Sequence, residues 1–225
     1  MTDTHAHILY GIDDGPKTLG QSIELLNELY SQGVTEVVCS SHYYPEAEPL
    51  KNFLDRYNAK FNELSIEADK IGIKLISGAE VFISRLFALE PVNRELCINK
   101  GDYILIELPY EHIIEPWVTE GLRKIVKHGI VPVIAHMEIY PAYTLELARE
   151  LVRIGCLLQI NASSVKSFRM RDRISKLIRD ELATFIGSDT HNMLTRPPYI
   201  KKIYEWITKK FGNGRREEII KSNPY

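Results

Sequence analysis

Six of the seven short apolar runs in this 225-residue chain stop at, or just before, a histidine, aspartate or glutamate. The runs cover residues 4–9, 36–41, 74–79, 103–108, 131–135, 157–161 and 184–188, and each is short and β-branched enough to read as a buried strand. Longer stretches with helical apolar spacing lie between and after them, at residues 18–31, 50–71, 116–127, 143–154, 171–182 and 198–211. Gly33, Gly72, Gly129 and Gly155 each fall just after such a stretch, where a left-handed C-cap residue is favoured. Repeated βα units of this kind predict an α/β fold, a distorted or incomplete seven-stranded βα barrel more than a two-layer sandwich. With 44% hydrophobic residues and no Pro/Gly/Ser linker, residues 1–225 are expected to form a single domain.

In a parallel barrel the C-terminal strand ends open onto one face, which is where sites are built. His5 and His7 alternate along the first run, so both imidazoles leave the same face. Asp13 and Asp14 follow in a turn bracketed by Gly11 and Gly15, from which only one can easily point inward. His42, Glu80 and His136 follow the second, third and fifth runs, Glu107 interrupts the fourth, and Asp189 and His191 follow the seventh. The sixth ends at Asn161, polar without being a strong ligand. Nine side chains far apart in sequence, His5, His7, Asp14, His42, Glu80, Glu107, His136, Asp189 and His191, can therefore meet in one cavity. Burying four carboxylates among five imidazoles is costly unless cations compensate them, so the set reads as a multi-metal site. Nine donors exceed the needs of one ion, and bridging carboxylates let two or three ions share them.

Other classes fit less well. A net charge of −2 and a pI near 6.4 give no basic field to hold a polyanion, so nucleic acid is not a favoured partner. Cys39, Cys97 and Cys156 are odd in number and widely spaced, which fits reduced core thiols and a cytoplasmic location. They lack the loop-and-arginine context of a nucleophilic thiolate. No basic-then-apolar leader is present, and no run reaches about 18 apolar residues, so neither export nor membrane insertion is expected. His128 reads as a cation in the last turn of a helix, and His112 as a loop residue. Tyr43, Tyr44 and Tyr110 follow ligand positions and read either as a rim for an aromatic substrate or as ordinary loop tyrosines. Arg196, five residues past His191, reads either as a bidentate phosphate clamp or as a surface arginine.

The opening residues 4–9, the turn at 11–18, and the Ser41-His42, Gly78-Ala79-Glu80, Ile106-Glu107, Ile134-Ala135-His136 and Ser188-Asp189-Thr190-His191-Asn192 segments resemble the polymerase-and-histidinol-phosphatase (PHP) superfamily. More closely, they are similar to the bacterial manganese-dependent protein tyrosine phosphatases of capsule and exopolysaccharide loci, a branch that the Asp13-Asp14-Gly15 turn separates from the histidinol phosphatases. The resemblance implies a PHP-type distorted barrel, two or three Mn2+ ions, and hydrolysis of the phosphotyrosine tail of a bacterial tyrosine kinase. It implies one ion on His5, His7, Glu80 and Asp189, a second on Glu80, Glu107 and His136, and a third on Asp14, His42 and His191. Iron or zinc would suit the same mixed ligand set better than calcium. It further implies that Arg196 holds the substrate phosphate, with Asp189 and His191 in the catalytic centre and Asp13, His191 or Tyr10 assisting proton traffic. An ion-activated water would attack phosphorus in line, without a covalent phosphoenzyme.

Three departures stand out. Relatives carry a second phosphate-binding arginine three residues after the equivalent of His136, where this chain has Ile139. Tyr43-Tyr44-Pro45 replaces a polar or basic pair, and the chain stops at Asn223-Pro224-Tyr225 where relatives commonly continue, so a terminal helix is expected to be missing. The missing arginine leaves room for two other readings. One is a PHP phosphoesterase acting on a small phosphorylated metabolite or a nucleic-acid end; the other is a metal-binding regulatory module without turnover.

Overall fold

The computed structural model describes residues 1–89 and 91–221. Among these residues are nine strands: β1 (Thr2–Ala6), β2 (Glu36–Cys39), β3 (His42–Tyr43), β4 (Lys74–Ser77), β5 (Glu80–Phe82), β6 (Tyr103–Glu107), β7 (Val131–Ile134), β8 (Leu157–Asn161) and β9 (Ala183–Gly187). They form a three-stranded sheet ordered β1-β2-β4 and a six-stranded sheet ordered β3-β5-β6-β7-β8-β9. All pairings are parallel, as expected for an α/β chain. Seven helices accompany them: α1 (Leu19–Ser31), α2 (Leu50–Ile71), α3 (Pro116–Lys127), α4 (Leu145–Ile154), α5 (Phe168–Arg179), α6 (Ile200–Phe211) and α7 (Asn213–Lys221).

The count of nine differs from the seven expected because pairing stops two residues before the end of runs 36–41 and 74–79, at Ser40-Ser41 and at Gly78-Ala79, and resumes just past each run as β3 and β5. The physical cause is Tyr57 on α2. Its hydroxyl donates to the Cys39 carbonyl at 2.8 Å and accepts from the Gly78 N–H at 3.0 Å, standing where a direct interstrand bond would run. Ser40 intrudes on the other side, its Oγ accepting from the Ala6 N–H at 2.9 Å. Pairing resumes one step on, where the Glu80 N–H donates to the Ser41 carbonyl and His42 lies opposite Glu80.

β1 also lies beside β9. The Thr4 hydroxyl donates to the Ile186 carbonyl, the Asp189 N–H to the His5 carbonyl at 2.8 Å, and the His7 N–H to the Thr190 carbonyl at 2.9 Å. Gly187 permits this approach, because a Cβ there would overlap the His5 Cβ and lie 2.9 Å from Gln159 Nε2. Among the described residues, side-chain bonds and a single isolated bridge link the two sheets here in place of a continuous ladder, so a closed barrel is not formed by strand pairing alone. β1 itself spans 2–6 where 4–9 was expected, since the chain leaves β2 after Ala6 and turns toward Thr190.

Most helix limits follow local capping. Thr18, Thr144 and Ser167 accept from the N–H groups of Gln21, Leu147 and Met170, which starts α4 two residues later than expected and α5 three residues earlier. Gly72 and Gly155 adopt φ of 94° and 108°, closing α2 and α4 with left-handed caps that a side chain would strain. α7 was not anticipated. Arg215 ties it down by donating to the Ile178 carbonyl at 2.6 Å, and Ile219 is buried. Residues 223–225 lie outside the described residues.

The core is built from the apolar faces of these helices against the strands, with Leu25, Leu26 and Leu29 of α1, Leu122 of α3, Leu177 of α5 and Ile203 and Ile207 of α6 all fully buried or nearly so. Full burial of each such side chain is worth about 1.5–3 kcal/mol. No helix among the described residues is long and apolar enough to cross a membrane.

Candidate metal centre

All nine side chains expected at the strand ends come together. Parallel register accounts for the first contacts: His42 is opposite Glu80, and Phe82 is opposite Glu107. Glu80 is the hub. Its Oε2 lies 3.2 Å from His5 Nε2, 3.1 Å from His7 Nε2 and 3.1 Å from His42 Nδ1, while its Oε1 lies 2.9 Å from His136 Nε2. Asp189 Oδ1 is 3.6 Å from His5 Nε2, His7 Nε2 and His191 Nδ1. Asp14, 63% exposed, closes the rim with Oδ1 at 3.1 Å from His191 Nε2. Three sets of donors each lie within 4.8 Å of one another: His5, His7 and Glu80; His42, Glu80 and Glu107; and His7, Asp14, His42 and His191. His7 and His42 thus bridge sets that the resemblance kept apart, and His136 approaches through Glu80.

The backbone is shaped to this purpose. His136 has φ of 34° and Asp189 φ of 53°, both in the left-handed region that non-glycine residues enter at a cost of roughly 1–3 kcal/mol. Each follows the end of its strand and turns its side chain back over the sheet.

Hydrogen bonds at the far ring nitrogens decide what the imidazoles present. His5 Nδ1 is 3.1 Å from Gln159 Oε1, and His7 Nδ1 is 2.8 Å from Asp13 Oδ2. Both partners accept, so each Nδ1 carries the proton and each Nε2 lone pair points inward. Those two Nε2 atoms are 3.0 Å apart and both face a carboxylate oxygen. Lone pairs converging on one point in a buried site need a proton or a cation between them. His42 Nδ1, Glu80 Oε2 and His191 Nε2 are also buried without a hydrogen-bond partner among the described residues. Neutral imidazole nitrogens and carboxylate oxygens in this mixture are the donor set of Mn2+, Fe2+ or Zn2+, so the residues present fit divalent ions.

Titration reports the same field. Burial opposes charge on His7, yet Asp13 and Glu80 outweigh it and raise its pKa to about 10; burial is likewise overcome at His136, which Glu80 lifts to about 9. Burial and the charge on His7 push His42 down to about 4. Glu107 rises to about 7 through burial and its neighbour Glu80. Protons and divalent cations compete for the same negative pocket.

Arg196 meets the cluster directly, with Nη2 2.7 Å from Asp189 Oδ1 and Nη1 3.5 Å from Asp14 Oδ2. It is therefore not a free surface arginine. Ile139 follows His136 in a half-buried turn and supplies no charge. Tyr44 stacks on the His42 ring at 5.2 Å, and Tyr110 lies 6.3 Å from the His136 ring; both are exposed at the rim. Tyr43 is corrected to the core, where it packs on Phe53 at 4.9 Å, because strand alternation sends it opposite to its neighbours. The Tyr10 hydroxyl is engaged by Lys60 and Glu63 of α2, not by the cluster. The three cysteines are buried free thiols, and burial raises Cys97 to about 11 and Cys156 to about 12.

Residues outside the expected ligand set hold the ligands in place. Gln159 accepts from the His136 N–H at 2.7 Å as well as from His5, and Asn161 Nδ2 donates to Asp189 Oδ2 at 2.7 Å. Glu138 accepts from the Asn161 N–H at 2.9 Å, and Arg173 donates to the carbonyls of Glu138 and Tyr140. The available signal was a glutamine and an asparagine on one face of the otherwise apolar run 157–161.

The same shape is found in solved structures. Crystal structures of YwqE from Bacillus subtilis and CpsB from Streptococcus pneumoniae, described as unique metal-dependent tyrosine phosphatases, include a chain that superposes with a TM-score of 0.84 at 24% identity, covering 98% of this chain and 92% of that one. In sequence, this chain is 35% identical to the tyrosine-protein phosphatase CpsB of Streptococcus pneumoniae over 100% of its length and 96% of that protein. It is 36% identical to the putative tyrosine-protein phosphatase CapC of Staphylococcus aureus, covering 100% and 95%. The family described as capsular polysaccharide synthesis, CpsB/CapC, matches residues 1–225, and the chain belongs to that family.

Proposed function

We propose that this protein is a metal-dependent phosphomonoester hydrolase that removes phosphate from tyrosine in a protein substrate. The observation that carries the reading is the convergence of His5 Nε2, His7 Nε2 and Glu80 Oε2 within 3.0–3.2 Å of one another, an arrangement suited to a divalent cation. Family membership over the whole chain supports the choice of phosphotyrosine. The nine strand-end residues are taken as the ligands of two or three ions, manganese first among them, with iron or zinc as alternatives. When bound, these ions supply Lewis-acid chemistry, lowering the pKa of water and neutralising phosphoryl charge.

The chain's own residues do the rest. Asp13 and Gln159 fix the tautomers of His7 and His5. Arg196 donates to the substrate phosphate from the rim and stabilises charge on its oxygens. His191 and Asp189, joined through that rim, orient the reacting groups. Tyr44, stacked on His42, presents a face for the substrate phenol. A phenolate leaving group of pKa about 10 needs only weak acid assistance.

Residues 1–225 are taken as one phosphoesterase domain, a distorted seven-stranded barrel in which β2 with β3 and β4 with β5 count as single divided strands. The protein is taken to act in the cytoplasm on the phosphotyrosine tail of a bacterial tyrosine kinase of capsule or exopolysaccharide synthesis, and the family description supports the link to capsule synthesis. Ile139 favours a second reading, a phosphoesterase of small phosphorylated metabolites, since among the described residues only one arginine meets the cluster. Comparing kcat/KM for a phosphotyrosine peptide with that for alkyl phosphate metabolites separates the two. At least tenfold preference for the peptide is expected, and preference for an alkyl phosphate would support the second reading.

A further inference from the structure

Beside the cluster, a cleft of about 290 Å³ is lined by Phe82, Ile113 and Trp117 together with Glu46, Glu111 and Arg85. Tyr44 links its lining to the candidate centre. Tyr44 stacks on His42 at 5.2 Å and meets the Phe82 ring at 5.8 Å, while Phe82 is the strand partner of Glu107. Exposed apolar side chains gather around it. Ile113 lines the cleft, Tyr110 stands between lining residues Pro109 and Glu111, Leu86 follows Arg85, and Tyr44 touches Phe82. Apolar side chains exposed beside a cleft mark a binding surface more often than an idle one.

Charge says what the cleft accepts. Arg85 lies over the Trp117 ring at 5.0 Å and is already paired with Glu115 at 2.8 Å. Among the described residues Glu46 and Glu111 have no ion pair, so the cleft presents two uncompensated carboxylates above an apolar floor. A long cationic side chain matches both features, its methylenes on Phe82 and Ile113 and its head between the two glutamates. His42 and Phe82 lie no farther apart than two ring-to-ring steps of 5.2 and 5.8 Å, a span that no more than about four extended residues cover at about 3.3 Å each.

Resting on the phosphatase reading, we propose that this cleft is a substrate-peptide subsite that takes a lysine or arginine two to four residues from the phosphotyrosine. The subsite selects peptide over free phosphate esters without touching the reacting phosphate.

The test measures kcat/KM of the manganese-loaded protein on phosphotyrosine peptides carrying Lys, Gly or Glu at the second to fourth positions on either side, beside phenyl phosphate. Lys over Glu by about tenfold is expected, falling with added salt. A Glu46→Gln/Glu111→Gln variant should bring that ratio below about twofold and leave phenyl phosphate turnover unchanged, since both glutamates are exposed and outside the cluster. Equal rates on all peptides, or a preference that survives the double variant, would overturn the subsite while leaving the phosphatase reading intact. No release from any ester, phenyl phosphate included, would overturn the phosphatase reading and the subsite with it.

Discussion

The Gln159 side-chain oxygen and His5 Nδ1 are 3.1 Å apart, both fully buried, and that one bond settles which nitrogen His5 turns toward the cluster. Gln159 Nε2 in turn donates to the Ile160 carbonyl and to Asn161 Oδ1, so the amide cannot flip without losing both bonds. Gln159→Leu should therefore weaken Mn2+ binding by roughly 10- to 100-fold, read by titration calorimetry, with far-UV circular dichroism unchanged. Gln159→Glu, which keeps an acceptor for His5 Nδ1, should retain more affinity than the leucine variant. Equal losses in the two would contradict the tautomer argument.

Arg196 is the only arginine or lysine with a side-chain bond to the cluster carboxylates among the described residues. Arg196→Lys keeps charge but loses the two-pronged geometry, and should lower kcat/KM on phosphotyrosine peptide by about one to two decades. Ile139→Arg should move the other way, raising kcat/KM by about tenfold, because a guanidinium in the turn after His136 adds a second donor for the phosphate. Steady-state kinetics of the two variants check both directions.

Tyr57 carries a fold prediction. Its hydroxyl satisfies two buried backbone groups, the Cys39 carbonyl and the Gly78 N–H, at the point where two strands divide. Tyr57→Phe leaves both unpaired and should cost about 2–4 kcal/mol in urea denaturation. A loss below about 0.5 kcal/mol would show that the strands re-pair directly.

Asp3 should couple stability to pH. It is fully buried, with Oδ1 accepting from the N–H groups of His5 and Ser188 and Oδ2 without a hydrogen-bond partner among the described residues. Burial lifts its pKa from 3.8 to about 6 against the pull of those bonds. Because the folded pKa is the higher one, the stability Asp3 contributes is fully present below about pH 4 and is lost as pH rises through about 6. The shift corresponds to about 3 kcal/mol. In metal-free protein, the stability of Asp3→Asn relative to wild type should rise by about that amount between pH 4 and pH 7, and a constant difference would contradict this.

What the sequence disclosed was set by local rules. Ligand-type residues at the ends of apolar runs were legible because strand ends of parallel sheets share a face, and all nine meet in the structure. Helix boundaries were legible where Thr18 or Pro116 marks a start, and misplaced at α5, where the Ser167 cap was passed over. The division of β2 from β3 was not legible, since it depends on a tyrosine from a helix about twenty residues downstream reaching into the sheet. The sharing of His7 and His42 between donor sets depends on three-dimensional convergence that spacing cannot specify. Tyr43 shows the limit on a smaller scale: proximity to His42 in sequence placed it at the rim, and strand alternation put it in the core.

The most direct test of metal-dependent catalysis is phosphate release from a phosphotyrosine peptide by metal-stripped protein, with Mn2+ restored or withheld, beside Asp189→Ala. Release should return with Mn2+ in the wild type and fall by at least about 100-fold in the variant, which loses the carboxylate shared by His5, His7, His191 and Arg196. Equal release with and without Mn2+, or release undiminished in Asp189→Ala, would contradict a hydrolytic metal centre at these strand ends.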